Sequence, residues 1–300
     1  MSSKAARVIT YYSKLIERWT KDFAKLIRIE QTLLSLPFAC TGALLAGGIL
    51  ASYEKWLCVI VAIVSARTAG ITLNRIIDFK YDSMNPRSGD QSLSLRRMRR
   101  SSGAFSMTVS IALLLYSSYS LNPLSVVLFP LVFLLTCVYP HVKRFTWASH
   151  FFLGLILACA PLGGWIGIRG SVDLPIAVFA GATMFWVAGF DVIYACQDHD
   201  FDREKGLCSI PIRFGVDNAL NIALGFHAVT ILLLLAAGVM LDMHSVYYIG
   251  VSVGAMILIY EHGLVVIDKR RYDSGFFVAN TWFSIVLFVF TLAEKVAQGN

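Results

Sequence analysis

The chain has 300 residues, 57% of them hydrophobic and 15% charged, with a mean hydropathy of +0.66 and a formal net charge of +7. A soluble domain carries about 45–50% apolar and about 25% charged residues, so the composition excludes a soluble protein and indicates one embedded in a membrane. The positive charge does not indicate nucleic-acid binding, because the basic residues fall in short blocks between apolar runs rather than in a stripe interleaved with stacking aromatics.

Residues 1–28 are basic and amphipathic, with Tyr11, Tyr12, Leu15, Ile16, Trp19 and Phe23 as the apolar members. They predict an interfacial helix lying on the membrane surface, and no signal-peptide core with a cleavage site precedes Leu26. Residues 29–300 are expected to form a single transmembrane domain. A membrane helix needs about 20 mainly apolar residues, and such windows occur at 29–51, 56–80, 102–121, 123–140, 147–168, 174–197, 216–241, 244–262 and 276–296. The expected fold class is therefore an all-α membrane protein, with nine transmembrane helices around a central cavity. Asn122 and Pro123 are the sole break between the third and fourth windows.

With the N-terminus cytoplasmic, every one of the 26 Lys and Arg residues except Lys55, Arg67, Arg169 and Lys295 falls on the cytoplasmic side. That bias satisfies the positive-inside rule in one topology. The protein is accordingly expected to be a multi-pass protein of the cytoplasmic (inner) membrane. The six cysteines include no CxxC pair, and four lie deep in apolar runs, as buried thiols commonly do. No disulfide is expected. The six histidines form no paired zinc motif.

Two acidic clusters stand out, each at the end of a long apolar window. The first runs from Asn74 through Asp78 to Asp82, and the second contains Asp191, Tyr194, Asp198, Asp200 and Asp202. At helical spacing, Asn74, Asp78 and Asp82 share one face, and so do Asp191, Tyr194, Asp198 and Asp202. Both sets sit at helix C-termini, where the macrodipole disfavours negative charge. Protonation or a bound cation would relieve the repulsion. Oxygen-only ligands suit magnesium, which binds through one or two carboxylates while substrate phosphates complete its octahedron. Surface ion pairs with Arg75, Lys80 and Arg203 are the alternative. Asp78 and Asp82 map onto Asp198 and Asp202 at an offset of 120 residues, a faint four-helix internal repeat. Such repeats are also common in transporters, so the repeat alone does not indicate an enzyme.

Arg87, Lys143, Arg144, Arg203 and Lys205 fall in loops beside the acids, where Arg suits bidentate phosphate recognition and Lys acts as a point charge. Arg67 lies inside the second window, and an intramembrane charge is a functional candidate by default. A structural pairing of Arg67 with an acid such as Asp191 stands equally open. Tyr139, Tyr194 and Tyr260 each lie at the cytoplasmic end of a window, level with the acids, either as aromatic faces for a cationic intermediate or as interfacial belt residues.

The paired motifs resemble those of the UbiA superfamily of intramembrane prenyltransferases. The first reads Asn74, Asp78, Asp82, then Asn85-Pro86-Arg87. The second runs from Asp191 through Tyr194, Gln197, Asp198 and Asp202 to Lys205-Gly206, then Ser209-Ile210-Pro211. Tyr139-Pro140, Lys143-Arg144 and Thr146 look like the family's segment before its fifth helix. Arg75, where many relatives have Asp, and Gln31-Thr32 look most like the bacterial 4-hydroxybenzoate polyprenyltransferase-like branch, which includes futalosine-route menaquinone enzymes.

The resemblance implies a UbiA-type fold and Mg2+-dependent transfer of a polyprenyl group from polyprenyl diphosphate to an aromatic acceptor in quinone biosynthesis. The acceptor would be 4-hydroxybenzoate-like, or alternatively naphthoate or futalosine-derived. It implies Asp78, Asp82, Asp198 and Asp202 as metal ligands. Asn74, Arg87, Lys143, Arg144, Arg203 and Lys205 would bind diphosphate, and Asp191, Tyr194, Tyr139 and Arg67 would serve catalysis. The lipid bilayer is the remaining expected partner, no nucleic acid is expected, and the sequence does not specify the oligomeric state.

Overall fold

The computed structural model describes residues 10–14, 17, 20–21, 29–84, 100–267 and 273–299. Every regular element among them is helical: α1 (Ile29–Leu45), α2 (Tyr53–Ile77), α3 (Phe79–Asp82), α4 (Arg100–Leu121), α5 (Pro123–Val142), α6 (Ser149–Arg169), α7 (Leu174–Gln197), α8 (His199–Lys205), α9 (Ile210–Phe214), α10 (Val216–Met240), α11 (Ser245–Ile267) and α12 (Asp273–Ala297), with a 3-10 turn at Gly48–Leu50. Eight of them are long and apolar enough to cross a membrane, so the chain is an integral membrane protein. The first expected window, 29–51, contributes a shorter helix. α1 stops at Leu45, because Gly47 takes a left-handed backbone (φ 88°) that ends the helical run. Most of the proposed surface helix over 1–28 lies outside the described residues.

The break between α4 and α5 has a local cause. The Asn122 side chain accepts from the Ser125 backbone N–H at 2.9 Å, capping α5, while Pro123 occupies its first turn. The same side chain donates to the Ile166 carbonyl at 2.6 Å. One residue thus starts a helix and fastens it to the far end of α6.

The long helices from α2 to α12 pack one after another in chain order, and α1 packs against α2, α6 and α12. Its seam with α6 is a backbone contact. A Cβ at Gly42 would collide with the Pro161 carbonyl, and one at Gly164 with the Ala39 carbonyl. Small residues allow this approach, which in a membrane replaces the missing hydrophobic drive with van der Waals packing. α2, α4, α5 and α6 lie on one side of the seam, and α7, α10, α11 and α12 on the other.

The second set is tied internally by polar side chains. Trp186 Nε1 donates to Asn280 Oδ1 at 2.9 Å, and His227 lies 2.9 Å from His262 and 3.3 Å from the Trp186 carbonyl. Gly189 provides the space that the His227 imidazole fills. At the opposite end of the bundle from the acids, Glu294 of α12 accepts from the backbone N–H groups of His244 (3.1 Å) and Tyr247 (3.2 Å). It thereby caps α11 from outside. Glu294→Ala leaves these donors unsatisfied, and loss of a buried partner costs about 1–3 kcal/mol. The expected result is a lowered unfolding midpoint in detergent with full transfer activity at low temperature, read by a thermal-shift assay.

Candidate active site

Both acidic clusters lie where a long helix breaks into a short one. Asp78 separates α2 from α3 with φ −88° and ψ 4°, and Asp198 separates α7 from α8 with φ −93° and ψ 4°. The two junctions share one backbone geometry. They also correct the expectation of a continuous helical face: Asn74 and Asp78 remain one turn apart, with the Asp78 N–H bonded to the Asn74 carbonyl at 2.8 Å, but Asp82 and Asp202 belong to the following short helices. Their phase is set by the bend rather than by helical periodicity. The Asp82 side chain and all of Arg87 lie outside the described residues.

Asp78 is 2% exposed, and both its oxygens are engaged. Lys143 Nζ lies 2.9 Å from Oδ2, and Arg144 Nη2 donates to Oδ1 at 2.9 Å. A carboxylate at a helix C-terminus opposes its own dipole, and these two cations, from the loop between α5 and α6, compensate it. The sequence grouped Lys143 and Arg144 as diphosphate ligands. The structure holds both against Asp78.

The same loop reaches the second cluster. The Lys143 carbonyl accepts from the Cys208 N–H at 2.8 Å. Seven residues on, His150 Nδ1 meets Asp191 Oδ2 at 2.7 Å, and His150 Nε2 accepts from the Ile210 N–H at 3.3 Å. Residues 143–150 therefore stitch the two acidic clusters into one site. Asp191 has His150 as its partner rather than Arg67, a pairing the sequence had left open. His150 escaped that reasoning altogether, because a single histidine near the start of an apolar helix has no spacing signal. Asp198 and Asp202 are half-buried beside these contacts, Arg203 is exposed, and Lys205 pairs with Glu204 at 2.8 Å.

A cavity of about 430 Å³ opens beneath the first cluster, lined by α1, α2, α4, α5 and α6. Arg67, Asn74 and Tyr139 contribute polar groups to its wall, which is otherwise mainly Ile, Leu, Val and Phe. It lies within the first helix set rather than between the two. Of the three tyrosines singled out, only Tyr139 faces it. Tyr194 packs edge-on against Phe276 with ring centroids 4.7 Å apart, and Tyr260 is exposed on the surface of α11.

Among the described residues no three His, Cys, Asp or Glu side chains converge to hold a metal by themselves. Each junction instead offers one or two carboxylates with cations close by. That donor set fits magnesium held jointly with phosphate oxygens, since this ion binds through few carboxylates and retains ligands from its substrate.

The family model described as the UbiA prenyltransferase family matches residues 35–288. A 4-hydroxybenzoate octaprenyltransferase of Francisella tularensis subsp. tularensis (strain WY96-3418) is 25% identical over 282 residues, covering 93% of this chain and 97% of that protein. Among solved structures, the apo form of a UbiA homolog from Aeropyrum pernix K1 superposes with a TM-score of 0.80 at 29% identity, over 88% of this chain and 98% of that one. A UbiA homolog from Archaeoglobus fulgidus bound to GPP and Mg2+ has the same fold, with a TM-score of 0.69 at 20% identity over 92% of this chain and 98% of its own.

Proposed function

The chain belongs to the UbiA prenyltransferase family, and from that premise we propose that it transfers a polyprenyl group from polyprenyl diphosphate to an aromatic acceptor of the 4-hydroxybenzoate kind, at the cytoplasmic face of the inner membrane. The observation that carries this reading is the loop 143–150. It joins two carboxylate junctions above an apolar cavity, as a diphosphate with a long hydrocarbon tail requires. The acceptor follows the relative named above, and the sidedness follows the distribution of Lys and Arg.

Lys143 and Arg144 shift part of their charge from Asp78 to the diphosphate oxygens, aided by Arg87, Arg203 and Lys205, while Asn74 positions a ligand. Asp78, Asp82, Asp198 and Asp202 would hold magnesium, which would further neutralise the leaving diphosphate when bound. When the C1–O bond breaks, its electron pair leaves with the diphosphate, and preorganised cations stabilise that charge. The apolar wall excludes water from the allylic cation, with Tyr139 as its aromatic neighbour and Arg67 orienting the acceptor. A ring carbon of the acceptor forms the new bond, and Asp191 takes the displaced ring proton, restoring aromaticity.

The test is prenyl transfer by purified protein in nanodiscs, with labelled donor and 4-hydroxybenzoate, dihydroxynaphthoate or a futalosine-derived aromatic supplied separately. Product from 4-hydroxybenzoate that disappears on chelation of magnesium supports the proposal. Product from another acceptor alone reassigns the substrate, and no product from any acceptor with folded protein and intact donor overturns the reading.

The cavity also sets an expectation about the tail. Gly163 lies on its wall with nothing within 4 Å of where a Cβ would be. Gly163→Leu should fill that space and lower kcat/KM for a twenty-carbon donor several-fold more than for a ten-carbon one. A competition assay with both donors reads the ratio directly.

A further inference from the structure

We propose that His150 is a positioning residue for the transfer step, fixing the Asp191 carboxylate so that one oxygen stays available to the acceptor. This rests on the role given to Asp191 above. His150 is the second residue of α6 and is 3% exposed. Its two ring nitrogens have different partners, and these define its protonation. Ile210 contributes a backbone N–H, which can only donate, so Nε2 must accept at 3.3 Å and carries no proton. The proton therefore sits on Nδ1, where it donates to Asp191 Oδ2 at 2.7 Å. Only this tautomer satisfies both contacts.

The geometry has two consequences. First, the imidazole bridges three segments: the start of α6, the last two turns of α7 and the first residue of α9. The Ile210 N–H is one of the orphan donors at a helix start, and His150 satisfies it while Ser209 Oγ accepts from Ile212 N at 3.4 Å. The segment following Asp198 and Asp202 is thereby tied to the side chain that aims Asp191. Second, Asp191 is held through Oδ2 and its carboxylate is about one-quarter exposed, which leaves Oδ1 available. A base oriented by a neighbouring group, with one atom free for the reacting proton, is the arrangement that proton transfer requires. Small displacements of such a group cost about 100-fold in rate.

The test uses full-length protein in nanodiscs and three substitutions. His150→Phe keeps a ring but removes both nitrogens. His150→Gln offers an amide donor and acceptor at similar reach. Asp191→Asn removes the carboxylate charge. With donor saturating, His150→Phe should lower kcat for the acceptor about 100-fold while donor KM stays within about twofold. His150→Gln should recover most of that loss, and the double variant His150→Phe/Asp191→Asn should be no slower than Asp191→Asn alone. Unchanged kcat in His150→Phe overturns the inference. So do equal losses in His150→Phe and His150→Gln, or parallel losses in donor KM, kcat and unfolding midpoint. If Asp191→Asn transfers normally, the assignment of Asp191 itself fails. If Asp191→Asn is slow and His150→Phe is not, only the role of His150 fails.

Discussion

Asp78→Asn is expected to lower prenyl transfer about 1,000-fold or more, with a smaller but measurable loss of stability. The physical reason is the placement of Lys143 and Arg144. Both cations lie 2.9 Å from the Asp78 carboxylate, which is 2% exposed. Removing the negative charge leaves two adjacent positive groups facing a neutral amide, but Lys143 and Arg144 are 30% and 27% exposed, so solvent screens part of the repulsion. The chemistry loses more than the fold, since the same carboxylate is the proposed magnesium ligand and the group that holds the cations ready for the diphosphate. A second substitution separates the two effects. Lys143→Met in the Asp78→Asn background removes part of the repulsion and should raise the unfolding midpoint again, yet leave transfer as low as before. If the double variant regains activity along with stability, Asp78 has an architectural role and the metal assignment falls.

Gly164→Leu is expected to prevent the two halves of the bundle from closing. Overpacking a core costs about 1–3 kcal/mol when side chains can rearrange. Here the atoms in the way are backbone, with the Ala39 carbonyl facing Gly164 and the Pro161 carbonyl facing Gly42 across the α1–α6 seam. Neither can rotate aside without moving a helix. Loss of folded protein on size-exclusion chromatography, or a large fall in unfolding midpoint, is the expected result. The neighbouring Gly163 is the internal control, because it faces open space in the cavity. Gly163→Leu should leave the midpoint nearly unchanged and alter only the preference for tail length. Two adjacent glycines of one helix should therefore give opposite phenotypes, one in folding and one in substrate choice. Equal tolerance of leucine at both positions would mean that α1 and α6 do not meet as closely as the backbone contact requires.

Features carried by local sequence were legible without coordinates. Hydropathy is a sum over neighbours, so eight of the nine expected membrane windows, the Asn122–Pro123 break and the helical class could all be read from residue order. The acids at 78, 82, 198 and 202 were legible for the same reason: charge inside an apolar chain is costly and stands out. The exposed surface of α11 at Tyr260 and the packed position of Tyr194 against Phe276 were not, because the apolar composition of both helices gives no phase to choose an inward face. The bends at Asp78 and Asp198 also lay beyond a periodic count, which assumes a continuous helix. The pairing of Asp78 with Lys143 and Arg144, and of Asp191 with His150, was decided only by tertiary structure. These partners come from different helices, and their meeting depends on how each helix is rotated and how closely it approaches its neighbour. Between α6 and α7 that approach is set at Gly154, where an added Cβ would meet the Met184 carbonyl, a property of two separate segments together and of neither one alone.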